Sequence, residues 1–115
     1  LDTDILGANR AGIPSVLVLT GIDRAKQVLA AVPDERPTFL LEDLRGLHEP
    51  YPETVTTEFD GGAVTGVGAA RVRRSGQVLT VEAGEGIDLL RAGAAAIWNS
   101  GLAIYALDVP AELYS

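Results

Sequence analysis

The first 48 residues alternate between helix signals and short apolar runs rich in β-branched residues, an order that few folds accommodate. Thr3 is a suitable N-cap, Asp4 favours the dipole of the first helical turn, and Gly12 is a typical C-terminal glycine. These signals predict a helix that ends at Gly12. The continuous apolar run 15–19 that follows is typical of a short strand buried on both faces.

The same alternation then repeats. Asp23 can cap a second helix from Arg24 to about Ala31, and 38–41 is a second candidate strand. One or two final helical turns are predicted over 42–47, with leucines spaced three residues apart. The order helix, strand, helix, strand, helix predicts a parallel α/β sheet. Because two strands are too few to close such a domain, residues 1–50 are interpreted as the C-terminal part of a doubly wound fold.

A linker around Pro50-Tyr51-Pro52 separates this half from a different pattern over residues 51–115. A hairpin is predicted between 69–73 and 77–81, turning at Ser75-Gly76. A helix is predicted over 87–100, with Ile87, Leu90, Ala94 and Ile97 on one face and Gly101 at its end. A last strand is predicted over 102–107, so this half is interpreted as a small α+β domain.

The composition of the chain argues against several classes of function. The chain has a net charge of −7 and no basic block, which argues against nucleic-acid and anionic-membrane partners. No apolar run reaches the ~20 residues that span a bilayer. The absence of cysteine excludes a disulfide framework and a cysteine nucleophile, and fits a cytoplasmic location. Because the chain also lacks methionine, we expect Leu1 to be an internal residue of a longer protein.

Two carboxylates at the start are the candidate metal-binding residues. Asp2 and Asp4 lie at a predicted helix N-terminus, and open α/β sheets bind ligands where strands end and helices begin. Carboxylates there could hold magnesium, which prefers oxygen ligands. Alternatively, both carboxylates only stabilise the helix dipole, which spacing alone favours.

The run Leu1-Asp2-Thr3-Asp4-Ile5, the segment from Gly7 to Pro14 and the strand-like Val16-Leu17-Val18-Leu19-Thr20-Gly21 resemble the last conserved motif of haloacid dehalogenase (HAD) phosphatases. The resemblance extends to about residue 48, through Pro37-Thr38-Phe39-Leu40-Leu41-Glu42-Asp43-Leu44. It is closest to the NagD-like, class IIA branch of p-nitrophenyl, phosphoglycolate and glycerol-phosphate phosphatases. The implied fold for residues 1–50 is the end of a Rossmann-like core.

This resemblance implies a magnesium-dependent hydrolase of small phosphorylated metabolites. Asp4 matches the second acidic position of the family's GDxxxxD pattern, which orients metal-bound water, and Asp2 matches a more variable position. The family's aspartate nucleophile, its acid/base and its phosphate-binding residues have no counterpart in residues 1–115. We therefore expect the chain alone to be inactive, with no catalytic or cofactor-binding residue of its own.

Residues 51–115 resemble the GNAT-like (acetyltransferase-like) extension of some glycerol-phosphate phosphatases, through Phe59-Asp60-Gly61-Gly62 and 87–98. The segment most similar to a pyrophosphate-binding loop is Gly84-Glu85-Gly86. It lacks the leading Gln or Arg of such loops and is interpreted as structural. The alternative to a phosphatase fragment is a non-enzymatic binding or oligomerisation module. A homo-oligomer, or association with the upstream fragment, is expected to cover the exposed sheet edge.

The other residues with reactive or charged side chains are not expected to take part in catalysis. His48 is expected on the surface, and the alternating Arg71, Arg73 and Arg74 on the solvated face of a hairpin. Ser15 and Ser75 have no neighbouring histidine, so neither is expected to act as a nucleophile.

Overall fold

The computed structural model describes residues 3–19 and 24–114. The chain divides into two compact units, Leu1–Tyr51 and Pro52–Ser115. The first contains a two-stranded parallel sheet and the second a four-stranded antiparallel sheet. The chain is therefore a mixed α/β structure, with its parallel and antiparallel sheets in separate units.

The first unit has the predicted order of elements. Its two strands are parallel, with Leu17 opposite Leu40, and each follows a helix in the chain. The expected parallel sheet is thus confirmed, while the predicted cap Asp23 lies outside the described residues. The elements are α1 (Thr3–Arg10), β1 (Val16–Val18), α2 (Arg24–Ala30) and β2 (Phe39–Leu41).

Helix α1 ends as its glycine predicts. Gly12 has a φ of 73°, the left-handed conformation that favours glycine. Its N–H donates to the carbonyl oxygen of Asn9 at 3.2 Å, and the N–H of Ile13 donates to Ala8 at 2.9 Å. These two bonds form a Schellman motif, which pairs the last carbonyl groups of the helix and reverses the chain toward β1.

The core of the first unit is small. Leu17, Leu40 and the α2 residues Val28 and Leu29 are at most 5% exposed, and Leu41, on the other face of β2, is 4% exposed. Val16 is 40% exposed, so the prediction that β1 is buried on both faces was wrong. Because side chains alternate along a strand, Val16 lies on the opposite face from Leu17. The described residues do not bury Val16 to the same extent as Leu17.

The predicted helical turns over 42–47 form only a short 3-10 helix, Leu44–His48. Leu44 and Leu47 share one face, because a 3-10 helix has three residues per turn. That face is exposed, with Leu44 66% and Leu47 59% accessible, so the leucine spacing did not mark a buried stripe. Asp43 caps the segment by accepting a hydrogen bond from the N–H of Arg45 at 2.8 Å.

The second unit is an antiparallel meander joined by two-residue turns. Residues 70–75 pair with 78–83, which confirms the predicted hairpin, although the turn residues are Gly76 and Gln77. Gly76 has a φ of 60° and the following residue does not, the pattern of a type II′ turn. The strands, in spatial order, are β3 (Thr54–Phe59), β4 (Gly62–Val67), β5 (Ala70–Ser75) and β6 (Val78–Ala83).

Helix α3 (Gly86–Ser100) packs on β4 and β5. Leu90, Ala94 and Ile97 are at most 5% exposed, and Gly101 ends the helix with a φ of 74°, both as predicted. The strands face the helix with Thr65, Val67 and Val72, each at most 1% exposed. No helix in the described ranges is long and apolar enough to cross a bilayer.

The last predicted strand, 102–107, was wrong. This segment forms a 3-10 turn at Ile104–Ala106, and Tyr105 is 91% exposed. Only Asp108 reaches the sheet, donating to the carbonyl of Gln77 at 2.8 Å and accepting from the N–H of Leu79 at 3.0 Å. A short apolar run has no intrinsic preference between these conformations, and here a single bridge to the edge of β6 replaces a fifth strand.

Candidate functional site

An asparagine fixes the end of α1 beside the start of the parallel sheet. The Asn9 amide donates to the carbonyl oxygens of Asp34 at 2.8 Å and Arg36 at 2.7 Å. Its own oxygen accepts a hydrogen bond from the Ser15 hydroxyl at 3.2 Å. One side chain therefore joins the last turn of α1 to the segments that lead into both strands.

Ser15 and Thr38, the residues directly before β1 and β2, complete this arrangement. The N–H of Ser15 donates to the Thr38 hydroxyl at 2.9 Å, and the N–H of Thr38 donates to the Ser15 hydroxyl at 3.0 Å. Ser15 is 5% exposed, so its polar atoms need these partners. We call Asn9, Ser15 and Thr38 the amino-edge clamp.

The clamp fixes the C-terminal end of α1 at the amino ends of the two strands. Asp4 lies in the first turn of α1, at the opposite end of the helix from the clamp. Open α/β sheets bind ligands at the carboxyl ends of their strands.

The side chain of Asp4, all of Asp2 and residues 20–23 lie outside the described residues. Within the described ranges, no group of three or more histidine, cysteine, aspartate or glutamate side chains could hold a metal ion.

The carboxyl end of β2 is occupied by a local ion pair. The guanidinium of Arg45 donates to both carboxylate oxygens of Asp43, at 3.1 and 2.7 Å. The side-chain hydrogen bond from Arg45 is the main reason that the pKa of Asp43 is lowered, and the pKa of Arg45 is correspondingly raised. Asp43 is thus engaged in capping the 3-10 helix and is not a vacant ligand.

The remaining candidates in the first unit also have structural roles or none. His48 is exposed, as expected. Tyr51, which was assigned only to the linker, accepts a hydrogen bond from the N–H of Leu40 at 2.9 Å. Its ring meets Phe39 edge-on at 4.9 Å. Tyr51 therefore covers part of the β2 strand, a role that its place between two prolines did not indicate.

The three arginines of β5 do not converge on one site. Arg71 and Arg73 lie on the sheet face opposite α3, whereas Arg74 lies on the same face as Val72, which packs against α3. Arg71 donates to the carbonyls of Gly68 and Ala70, and Arg73 stacks on the Phe59 ring at 4.4 Å. The prediction of one solvated face was correct for Arg71 and Arg73 only.

The glycine-rich loop before α3 has a packing function. Gly84 has a φ of 96°, and a Cβ atom there would collide with the backbone of Ala70. The N-cap residue Glu85 makes no side-chain capping bond and would present its carboxylate to a ligand at the helix start. The loop geometry is therefore explained by its contact with β5.

Residues 1–47 match the HAD-hydrolase-like family model. The chain is 40% identical over 102 residues to D-glycerol 3-phosphate phosphatase of Mycobacterium tuberculosis, covering 87% of this chain and 29% of that protein.

Two solved structures of glycerol phosphate phosphatase from Mycobacterium tuberculosis are also similar. The magnesium complex has a TM-score of 0.64 and 34% identity, covering 90% of this chain and 30% of that chain. The calcium complex has a TM-score of 0.50 and 31% identity, covering 84% and 28%. Both matches must include much of the second unit, because the first unit contains less than half of the residues.

The chain thus spans about 30% of the length of the relatives that it matches. The family match covers the first unit up to residue 47, including the amino-edge clamp and the start of α1. Over residues 1–47, the chain is thus similar to the HAD-hydrolase-like family.

Proposed function

We propose that this chain is part of a magnesium-dependent phosphomonoester hydrolase that acts on a small phosphorylated metabolite such as glycerol phosphate. The single observation that carries the proposal is the structural likeness to the magnesium-bound glycerol phosphate phosphatase over 90% of the chain. Phosphoglycolate and p-nitrophenyl phosphate are further substrates within the same class. In this proposal, residues 1–50 form the end of the catalytic core.

Asp4 is the residue proposed to serve the metal site. The amino-edge clamp supports this role, because it holds the last turn of α1 at the amino ends of the strands, so that only the N-terminal end of the helix is available to the carboxyl edge. There the Asp4 carboxylate would orient water molecules bound to magnesium, and Asp2 is a second, weaker candidate. The magnesium ion, when bound, would offset negative charge on the phosphoryl group.

The nucleophile is proposed to come from a part of the protein outside residues 1–115. The partial coverage of the relatives supports this proposal, because the chain matches only about 30% of their length. We therefore expect that the 115-residue chain does not hydrolyse phosphate esters unless the rest of the core is supplied. We also propose that the rest of the core, or a second copy, covers the exposed Val16 face of β1.

Residues 51–115 are proposed to be a GNAT-like extension without acetyltransferase activity. The packing of Gly84 against Ala70 and the carboxylate of Glu85 at the start of α3 support a structural loop. The competing hypothesis is a non-enzymatic binding or oligomerisation module. The comparisons favour the phosphatase, because a glycerol phosphate phosphatase matches both units in one chain.

Phosphate release from glycerol 3-phosphate tests the proposal. We expect magnesium-dependent hydrolysis by the complete protein that the gene encodes, and none by the 115-residue chain. Asp4→Asn in the complete protein should weaken magnesium binding about 10- to 100-fold. This is measured both by activity and by the thermal stabilisation that magnesium provides, with Asp60→Asn as the control. Turnover by the short chain, or unchanged magnesium binding in Asp4→Asn, would contradict the proposal.

A further inference from the structure

A cavity lies between the sheet of the second unit and the C-terminal half of α3. Its volume is about 450 Å³, within the range of small-molecule sites. The polar side chains that line it include Glu58, Thr65, Arg74 and Asn99. Ala63 and Ala96 also line it, and their small side chains leave the space open.

The hydroxyl of Thr65 opens into this cavity. Thr65 is 1% exposed, and its side chain makes no hydrogen bond to another described residue. Among the described residues, every buried polar side-chain atom that water cannot reach has a hydrogen-bond partner. Solvent therefore reaches the Thr65 hydroxyl, and the cavity that Thr65 lines supplies that access. A nearly buried hydroxyl without a partner in the chain is suited to a polar ligand.

Two opposite charges flank the cavity in one row of the sheet. Glu58 on β3, Ala63 on β4 and Arg74 on β5 lie opposite one another in the two antiparallel registers. Opposite residues share a face, so all three side chains lie on the face that carries α3. Two strand spacings separate the Cα atoms of Glu58 and Arg74 by about 10 Å. The short side chain of Ala63 leaves a gap between them.

The chain neutralises neither charge. The Arg74 guanidinium donates to the carbonyl oxygen of Gly76 at 2.9 Å, which occupies one of its N–H groups and holds it at the β5–β6 turn. Within the described ranges, neither Glu58 nor Arg74 forms an ion pair. A carboxylate and a guanidinium that line one cavity without pairing can each bind a group of opposite charge.

These two charges select the chemistry of the ligand. A simple anion would pair with Arg74 but would also meet the carboxylate of Glu58, and a simple cation would meet the reverse conflict. A molecule with both an ammonium and a carboxylate group satisfies both side chains through charge-assisted hydrogen bonds. The Thr65 hydroxyl and the Asn99 amide are further donors for that carboxylate. A neutral polyhydroxyl compound would leave both charges uncompensated.

We propose that this cavity binds a free amino acid. Its ammonium group pairs with Glu58 and its carboxylate with Arg74, above the small side chain of Ala63. Ala96 leaves room for the side chain of the amino acid. The site lies in the last two turns of α3, at the opposite end of the helix from the Gly84-Glu85-Gly86 loop. The proposal does not depend on phosphatase activity, so direct binding tests it.

Calorimetry and amide NMR with L-alanine, L-valine and L-serine test the proposal on the 115-residue chain. Calorimetry repeats the test on the complete protein that the gene encodes. We expect saturable binding of at least one amino acid at about 1 mM or below. The backbone amide signals of Ala63 and Thr65 and the side-chain amide of Asn99 should shift. Ethylamine and propionate, which each lack one of the two charges of alanine, should not saturate the site, and neither should glycerol.

Thr65→Val is the most informative variant. It removes the hydroxyl and keeps the shape of the side chain, so it should weaken amino-acid binding about two- to tenfold, the value of one hydrogen bond. Because the hydroxyl has no partner among the described residues, the same substitution should not lower the thermal stability of the protein. Thr80→Val, on the opposite face of the sheet, should leave binding unchanged.

Charge variants complete the test. Glu58→Gln and Arg74→Gln should each weaken binding about two- to fivefold, the range for one exposed ion pair. Glu112→Gln, in the C-terminal 3-10 turn, and Arg73→Gln, on the other face of the sheet, make the same changes in charge. Both control variants should leave binding unchanged.

Several outcomes would overturn the proposal. They are no saturable binding of the three amino acids in either protein, binding of ethylamine or propionate as tight as that of alanine, and unchanged binding in Thr65→Val. Binding of propionate alone would assign the cavity to an anion, and binding of glycerol alone would assign it to a polyhydroxyl compound. A loss of stability in both Glu58→Gln and Arg74→Gln, without amino-acid binding by the wild type, would show that the two side chains pair with each other instead.

Discussion

Ser15 and Thr38 exchange two hydrogen bonds, each through the hydroxyl of one and the backbone N–H of the other, at 2.9 and 3.0 Å. They are 23 residues apart in the chain and directly precede the two strands of the parallel sheet. The pair therefore places the first residues of β1 and β2 side by side and supports the register in which Val16 faces Phe39.

Removing the Ser15 hydroxyl should destabilise the first unit. Ser15→Ala leaves the N–H of Thr38 and the oxygen of Asn9 without this partner, at a cost of about 1–3 kcal/mol in the free energy of unfolding. Urea denaturation monitored by circular dichroism measures this change. Ser75→Ala, at an exposed hairpin position, should change stability by less than about 0.5 kcal/mol. Equal effects of the two substitutions would contradict the clamp.

Asn9 is the second test of the clamp, because its amide donates to two carbonyl oxygens. Asn9→Asp replaces that donor with a carboxylate facing two acceptors, so it should destabilise the protein more than Asn9→Ala, which costs about 1–3 kcal/mol. The deficit of Asn9→Asp should shrink in acid, since a protonated carboxyl can donate one bond. Thermal unfolding at several pH values measures this, with Asn9→Ala, which adds no titratable side chain, as the reference.

The Asp43–Arg45 pair predicts a small acid-dependent loss of stability. The Arg45 hydrogen bond lowers the pKa of Asp43 in the folded protein. Its contribution is therefore complete above the ordinary aspartate pKa of about 3.9 and is lost as pH falls through the lower folded value. Asp43→Asn keeps a capping oxygen but no charge, so wild type and variant should converge in stability toward pH 2. A carboxyl NMR titration without a lowered Asp43 pKa would refute this.

Two glycines predict opposite responses to the same substitution. Gly84→Ala introduces a Cβ 2.6 Å from that of Ala70 at a φ of 96°, so it should cost about 2 kcal/mol or more. Gly7→Ala lies inside α1 with open space around the new methyl group and should stabilise by about 0.5–1 kcal/mol. Differential scanning calorimetry measures whether each substitution raises or lowers the stability of the protein. Destabilisation by Gly7→Ala, or tolerance of Gly84→Ala, would contradict the described packing.

The sequence by itself was sufficient to predict the structural features that depend on neighbouring residues in the chain. Gly12 and Gly101 end their helices because glycine adopts the left-handed conformation at little cost, and Gly76 forms its hairpin turn for the same reason. The parallel order of β1 and β2 followed from the alternation of helix and strand signals. The resemblance that identified the family rested on the same local runs, and the matching family model confirms it.

Only the tertiary structure decided the burial of the short apolar runs and the hydrogen-bond partners in the amino-edge clamp. Val16 and Leu44 are exposed, and residues 102–107 form no strand. These outcomes depend on which other segments pack against each run, and local spacing does not specify that packing. Local spacing did not indicate that Asn9, Ser15 and Thr38 form a group, because four of their bonds join residues 23–27 positions apart. Backbone conformation is set mainly by adjacent residues, whereas burial and hydrogen-bond partners are set by contacts between distant ones.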